Sequence, residues 1–247
     1  MPKSNISTRS ISYAEAINEA TRQLMSQDES VFVLGIGVDD PRGIYGTTSN
    51  LSSEFGQDRV VNMPLAEDAI TGIASGSSMA GMRPIMVHER MDFMLLAMNQ
   101  LINVAAKSHY MYGGAIKIPM VIRSIIGRSW GQGAQHSQAL HSFFMHVPGL
   151  KVIAPTTPYD AKGALVSSVK DNNPVIFVEH RMLHNYKGQV PKDMYSVPFG
   201  KARILRAGHD ITIVGISHAM VECIRAAKSL ATSSISAEVI DPISLSP

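Results

Sequence analysis

The sequence has 247 residues, 45% hydrophobic and 17% charged, enough apolar material for one large core or two unequal domains and too much for a disordered chain. Its 22 Lys and Arg against 20 Asp and Glu leave a net charge of +2, which gives no case for a nucleic-acid partner. The single cysteine, Cys223, excludes an internal disulfide framework and a cysteine-built metal site and points to a reducing, cytoplasmic setting.

No apolar run reaches the length of a membrane span. The first ten residues lack the apolar core of a secretory signal, while their polar, lightly basic, acid-free character keeps a transit-peptide reading open. Ser12-Tyr13-Ala14-Glu15 has the form of a capping box, and Ala16, Ala20 and Leu24 behind it keep helical spacing. Val31-Phe32-Val33-Leu34 is a short buried strand stopped by Gly35 and Gly37. Residues 39–55 are rich in Gly, Ser, Thr and Asn without a firm period, a long loop of the kind that carries function. Strand Val60 to Asn62 then runs through Met63-Pro64-Leu65-Ala66-Glu67 into a helix of small residues, among them Gly72, Ala74, Ser75, Gly76 and Ser77. Each helical glycine costs about 1 kcal/mol relative to alanine, so the run implies another backbone packed close, as at a subunit contact. Gly81 caps this helix and Pro84 opens the strand Ile85 to Val87.

The pattern predicts a helix from Phe93 to Tyr110, a strand from Pro119 to Arg123, a glycine-containing loop from Gly127 to Gly133 and a helix from His136 to Met145. Strand Leu150 to Ile153, helix Asp160 to Lys170 and strand Val175 to Glu179 follow. The alternation describes an α/β fold with a doubly wound parallel sheet covered on both faces. The stretch His184 to Gly200 reads as a linker. Beyond it, strand Asp210 to Val214, helix Met220 to Leu230 and strand Ala237 to Ile240 make one βαβ unit, too small to cover its own sheet. The expected units are residues 1–190, and 191–247 as linker and incomplete C-terminal α/β domain.

Glu67 stands at a strand-to-helix junction, where open parallel sheets place ligands. The plain alternative is that Glu67 or Asp68 only favours the helix dipole, worth a few tenths of a kcal/mol. His136, within Gln135-His136-Ser137-Gln138 after a glycine-containing loop, is suited to proton exchange near neutral pH. With nine histidines in the chain, a surface or capping role competes with that reading. His88 and Glu89 are adjacent, so strand alternation sends them to opposite sides and makes a poor metal pair. Glycines 72, 76 and 81 are too widely spaced for the dinucleotide fingerprint, and Phe93 by itself reads as core.

Taken in order, several motifs carry a resemblance: Phe55-Gly56 with Arg59-Val60, Pro64-Leu65-Ala66-Glu67, Gly81-Met82-Arg83-Pro84 and Asp92-Phe93. Gln100-Leu101-Ile102-Asn103, Gln135-His136-Ser137-Gln138, Pro148-Gly149-Leu150-Lys151-Val152, Asn173-Pro174-Val175 and Pro198-Phe199-Gly200-Lys201-Ala202 continue the series. The chain resembles the beta subunit of two-subunit, thiamine-diphosphate-dependent 2-oxoacid dehydrogenases, of the pyruvate and branched-chain types. The resemblance implies a pyrimidine-binding domain followed by part of a transketolase-type C-terminal domain. Under it, Glu67 falls on the glutamate that hydrogen-bonds N1′ of the aminopyrimidine, Phe93 on the aromatic that stacks on that ring, and Leu65 beside them as a cofactor contact. His136 falls on the histidine that handles protons on the substrate or the lipoyl group. Met120, Ser168, Val169, Asp171 and Asn173, mostly through backbone oxygens, match a potassium site.

The diphosphate and Mg2+ motif of the family lies on an alpha subunit and is absent from this chain. The resemblance therefore implies an alpha-type partner, self-association of beta-type chains, and a lipoyl acyltransferase core. Three positions depart from the family: Ile36 replaces an active-site glutamate, Val87 an acid, and Arg90 a frequent aromatic. Glu89, two residues from Val87, is placed to restore an acid on the same strand face. These departures keep a second reading in play, a split transketolase-like or carboligating enzyme with a sugar or aldehyde acceptor, in which Arg90 contacts a phosphate or carboxylate. A non-catalytic binding module is a third reading, opposed by the joint presence of Glu67, Phe93 and His136.

Overall fold

The computed structural model describes residues 8–128 and 131–246. The transit-peptide reading therefore rests mainly on residues outside the described ones. Strand β1 (Thr8–Ser12) leads into helix α1 (Tyr13–Gln27), and the capping box forms as expected. Ser12 Oγ accepts the Glu15 amide at 3.2 Å, and the Glu15 carboxylate accepts the Ser12 amide at 2.7 Å. Strand β2 (Val31–Gly35), helix α2 (Leu51–Phe55), β3 (Val60–Asn62), α3 (Glu67–Met79) and β4 (Arg83–His88) follow.

The expected helix from Phe93 to Tyr110 is in fact three pieces: a 3-10 segment Met91–Ala97, a π segment Gln100–Ala105 and α4 (Ala106–Met111). Met91, Met94 and Ala97, three residues apart, are the buried apolar positions, and a 3-10 helix lines up residues at that spacing. After β5 (Val121–Ile126) the expected helix from His136 to Met145 is also interrupted. Only a 3-10 turn, Ala134–His136, and α5 (His141–Met145) are helical. Arg181, 45 residues away in the chain, takes the His136 carbonyl, a group that a helix through His136 needs for its own hydrogen bond, while Asp92 Oδ1 accepts the Gln138 amide.

Strand β6 (Lys151–Ile153), α6 (Pro158–Lys170), β7 (Val175–His180), β8 (Lys187–Pro191), β9 (Arg203–Arg206), β10 (Ile211–Val214), α7 (Ala219–Thr232), β11 (Ala237–Asp241) and β12 (Ser244–Ser246) complete the chain. The main sheet has the order β12-β6-β7-β5-β4-β2-β3 and is parallel except for β12. Helices α1 and α6 cover one face, with Ala16, Ala20, Ala161 and Ala164 fully buried. Helix α3, the 3-10 and π segments and α5 cover the other, around Ile70, Ala74, Met94, Leu101 and Phe144. This is the doubly wound arrangement expected.

Two stretches differ from the reading as a linker and a lone βαβ unit. Residues 187–191 pair antiparallel with β1, tying the segment after β7 back to the first strand. Tyr195 and Val197 then seat on α6 at Gly163, where an added Cβ would come within 2.5 Å of Val197 Cγ2. In the C-terminal part, β9 adds an antiparallel strand to β10 and β11, and β12 returns to the edge of the main sheet beside β6. Together β9, β10 and β11 form a three-stranded sheet.

Candidate active site

The carboxyl ends of β2 and β4 and the start of α3 open onto one crevice, the place where open parallel sheets hold ligands. Gly35 makes the close approach there: its φ is +153°, and a Cβ would lie 2.5 Å from Val87 O. With Ile36, Leu65, Glu67, Ile70, Met86 to Arg90, Phe93, Gln132 and His136 it surrounds a cavity of about 290 Å³.

Glu67 is the first residue of α3, behind an N-cap, Ala66, that supplies no side-chain hydrogen bond. Asp68 is exposed and accepts a 3.4 Å hydrogen bond from Gln100 Nε2, whereas the Glu67 carboxyl faces the cavity without a hydrogen bond to any described group. Dipole compensation therefore has its own residue in Asp68, and Glu67 is left available to a ligand. Small hydroxyl residues let α3 stay helical while buried: Thr71 Oγ1 donates to Glu67 O at 2.7 Å and Ser75 Oγ to Thr71 O at 2.9 Å.

Phe93 and His136 meet edge to face, with ring centroids 5.2 Å apart and planes at 73°. The loop that brings His136 there is pinned by Arg181, which donates to Gln132 Oε1 and to the His136 carbonyl. Burial, and then the like charge of Arg90, push the Arg181 pKa down. Leu65 is 79% exposed at the rim of the cavity. The structure thus brings Glu67, Phe93, Leu65 and His136 to one place, with Ile36, Val87 and Arg90 in the same wall.

His88 is a site residue that sequence reasoning set aside. It is 6% exposed, its Nε2 lies 3.4 Å from Thr71 Oγ1, and burial lowers its pKa to about 4, so its ring is neutral at pH 7. His88 and Glu89 both border the cavity because β4 ends at His88 and the chain turns there.

The residues matched to a potassium site lie elsewhere, around the carboxyl end of α6. There Arg83 Nη1 donates to Val169 O at 2.7 Å and to Asp171 O at 3.0 Å, and Lys151 Nζ to Asp171 Oδ2 at 2.5 Å. Met120 O accepts the Val175 amide at 3.0 Å, and Asn173 Nδ2 donates to Asp171 Oδ1 at 3.1 Å. A guanidinium already serves two of these carbonyls.

Residues 9–187 match the transketolase pyrimidine-binding domain model, and residues 200–247 the transketolase C-terminal domain model. The chain belongs to the transketolase pyrimidine-binding family. Within that family it is 43% identical over 249 residues to acetoin:2,6-dichlorophenolindophenol oxidoreductase subunit beta of Cupriavidus necator, covering 97% of this chain and 73% of that protein. It is 44% identical over 233 residues to pyruvate dehydrogenase E1 component subunit beta of Gracilaria tenuistipitata, covering 94% and 72%. A third relative, 2-oxoisovalerate dehydrogenase subunit beta of Bacillus subtilis, is 41% identical over 232 residues, covering 94% and 71%. All three relatives are named as beta subunits, of an acetoin oxidoreductase, a pyruvate dehydrogenase and a 2-oxoisovalerate dehydrogenase. A solved split-gene transketolase, an inactive beta4 tetramer, shares the fold with a TM-score of 0.76 at 23% identity, over 94% of this chain and 71% of that one.

Proposed function

We propose that this chain is the beta-type half of a thiamine-diphosphate-dependent 2-oxoacid dehydrogenase, decarboxylating a 2-oxo acid of the pyruvate or branched-chain type and passing the acyl group to lipoamide. The observation that carries the proposal is the convergence of Glu67, Phe93 and His136 on one cavity at the carboxyl ends of the parallel strands. A carboxyl without a hydrogen-bond partner among the described residues, an aromatic wall and an imidazole are the groups an aminopyrimidine and a reacting carbonyl require. When bound, thiamine diphosphate supplies the carbon that adds to the substrate carbonyl and takes up the electrons released with carbon dioxide.

Each protein group then has a task. Glu67 would hold a proton at the pyrimidine N1′, and Phe93 would orient the ring by stacking. His136 would move a proton at the substrate oxygen or the lipoyl sulfur, while Ile36 and Ile70 keep water from the wall. At about 290 Å³ the cavity sits at the lower edge of ligand pockets, which run from about 300 Å³ upward. That suits a ring and a small substrate better than a whole cofactor. The diphosphate and its Mg2+ would fall to an alpha-type partner. Leu65 at the cavity rim, Ile73 on α3 and Leu96 on the 3-10 segment, 79%, 53% and 62% exposed, offer apolar surface for that contact, and Gly76 on α3 has open space before it.

Beta-type self-association and a lipoyl acyltransferase core are further partners of this reading. Potassium, if held at residues 120 and 168–173, would share the carbonyls of Val169 and Asp171 with Arg83. A cytoplasmic location is supported by the single cysteine; no helix among the described residues is long and apolar enough to cross a membrane. The relatives favour the dehydrogenase over the transketolase-like alternative. The deciding experiment combines the chain with an alpha-type subunit, thiamine diphosphate, Mg2+ and pyruvate or a branched-chain 2-oxo acid. Reductive acylation of lipoamide that needs both chains and the cofactor supports the proposal. Carbon–carbon ligation to an aldehyde without acylation of lipoamide would put the alternative in its place.

A further inference from the structure

Arg90 lines the cavity yet is only 8% exposed. A guanidinium carries five N–H donors in a rigid fork, and burying one normally brings a carboxylate with it. Here Nη1 donates to Glu89 O at 2.7 Å and Nη2 to Tyr45 Oη at 2.5 Å. Nε is buried with no acceptor, and Arg90 forms no ion pair with any carboxylate among the described residues. The acids in the wall do not answer it: the Glu67 carboxyl makes no ion pair among the described residues and the Glu89 side chain is exposed, while the buried Asp92 carboxylate acts on Arg181.

The group is also held in place. The guanidinium carbon lies 5.5 Å from the Tyr45 ring centre, and that ring stacks on His184 at 5.2 Å with 22° between planes. His184 Nε2 is 3.3 Å from Glu179, whose carboxylate is bound at two points by Arg123 deep in the sheet. A second guanidinium, that of Arg181, is near enough for the two like charges to be felt. A guanidinium in the cavity wall, with one unfilled donor among the described residues and a rigid support, describes a seat for an anion.

We infer that Arg90 is the specificity-determining contact for an oxyanion group of the substrate, a carboxylate or a phosphate, seated against the unfilled edge of its guanidinium. This inference rests on the reading of the cavity as a substrate site, and it assigns that substrate a negative charge rather than leaving it a neutral hydroxyketone or aldehyde.

The test is titration calorimetry on the assembled two-subunit holoenzyme, with oxamate, inorganic phosphate and neutral oxamide as probes. One anion should bind at least about tenfold tighter than oxamide, the margin of a charge-assisted two-point contact. A preference for oxamate identifies a carboxylate, and a preference for phosphate a phosphorylated substrate. Arg90→Met should remove that preference while leaving thiamine diphosphate affinity unchanged. Arg90→Lys, which keeps the charge but not the fork, should retain part of it and covers the case in which the methionine variant does not fold. The inference is overturned if neither anion is preferred, if both variants bind as the wild type does, or if thiamine diphosphate is weakened by the same factor as the anion. Because binding is read without turnover, a failed lipoamide assay sinks the reaction proposed above and leaves this result standing, and the reverse also holds.

Discussion

Replacing Glu179 by glutamine should be among the most costly single changes in the chain. Its carboxylate and the Arg123 guanidinium are both 0% exposed, joined by hydrogen bonds of 2.6 and 3.0 Å, with His184 Nε2 at 3.3 Å. Burial drives the Glu179 pKa upward, but Arg123 and His184 outweigh it and hold the group below its ordinary value. Removing the charge strands a buried guanidinium, which costs roughly 3–5 kcal/mol. For a chain of this size each kcal/mol is worth about 2–4 °C, so the melting temperature should fall by roughly 6–20 °C.

The assay is thermal unfolding followed by far-ultraviolet circular dichroism, with exposed Arg22→Ala as a control for the Arg22–Glu54 pair. That control should change stability by about 1 kcal/mol or less. The double change Arg123→Met with Glu179→Leu should recover most of the loss, because an apolar pair leaves no buried charge. The pH dependence has a definite sign. A carboxylate with a lowered folded-state pKa contributes its full stability above its unfolded value of 4.5 and loses it as pH falls through the lower folded value. A glutamine variant no less stable than the control, or a double variant as damaged as the single one, would refute this account of the buried pair.

Two further outcomes follow from the site itself. His88 should stay neutral across neutral pH, with its imidazole carbon proton shifting near pH 4 in an NMR titration; the folded state should lose stability as pH falls from 6.5 toward 4, since the unfolded chain takes up the proton first. A midpoint near 6.5 would show that the ring is solvated. Gly35→Ala, with φ at +153° and Val87 O 2.5 Å from the new Cβ, should cost about 1–3 kcal/mol in urea unfolding and deform the cavity floor. An unchanged unfolding midpoint would contradict the close approach of the two strand ends.

What was legible in the sequence was what depends on near neighbours. The Ser12–Glu15 capping box, the apolar strands 31–35, 83–88 and 175–180, and the small-residue helix after Glu67 all form where local pattern puts them. Strand β8 escaped because only Val190 in it is buried and its partner β1 is more than 170 residues away in the chain. The break in the helix expected over 136–145 escaped because Arg181, distant in the chain, claims the His136 carbonyl that periodicity assigns to a helix, and the 3-10 segment at 91–97 escaped because Met91, Met94 and Ala97 keep a spacing that an α-helix shares. For the site, a strand-end glutamate was visible as a candidate, but it took the fold to separate Glu67 from Asp68. His88 was hidden by its neighbour, since alternation treats the two as facing apart and is blind to where the strand stops.

The most direct measurement of the central claim is hydrogen–deuterium exchange at the reactive ring carbon of thiamine diphosphate, followed by NMR in the two-chain complex with Glu67→Gln. Exchange should slow by a hundredfold or more, on the order of the contribution of a positioned proton-transfer group, while the complex still assembles and binds the cofactor. Exchange at the wild-type rate in that variant would mean that the carboxyl at the head of α3 does not activate the cofactor.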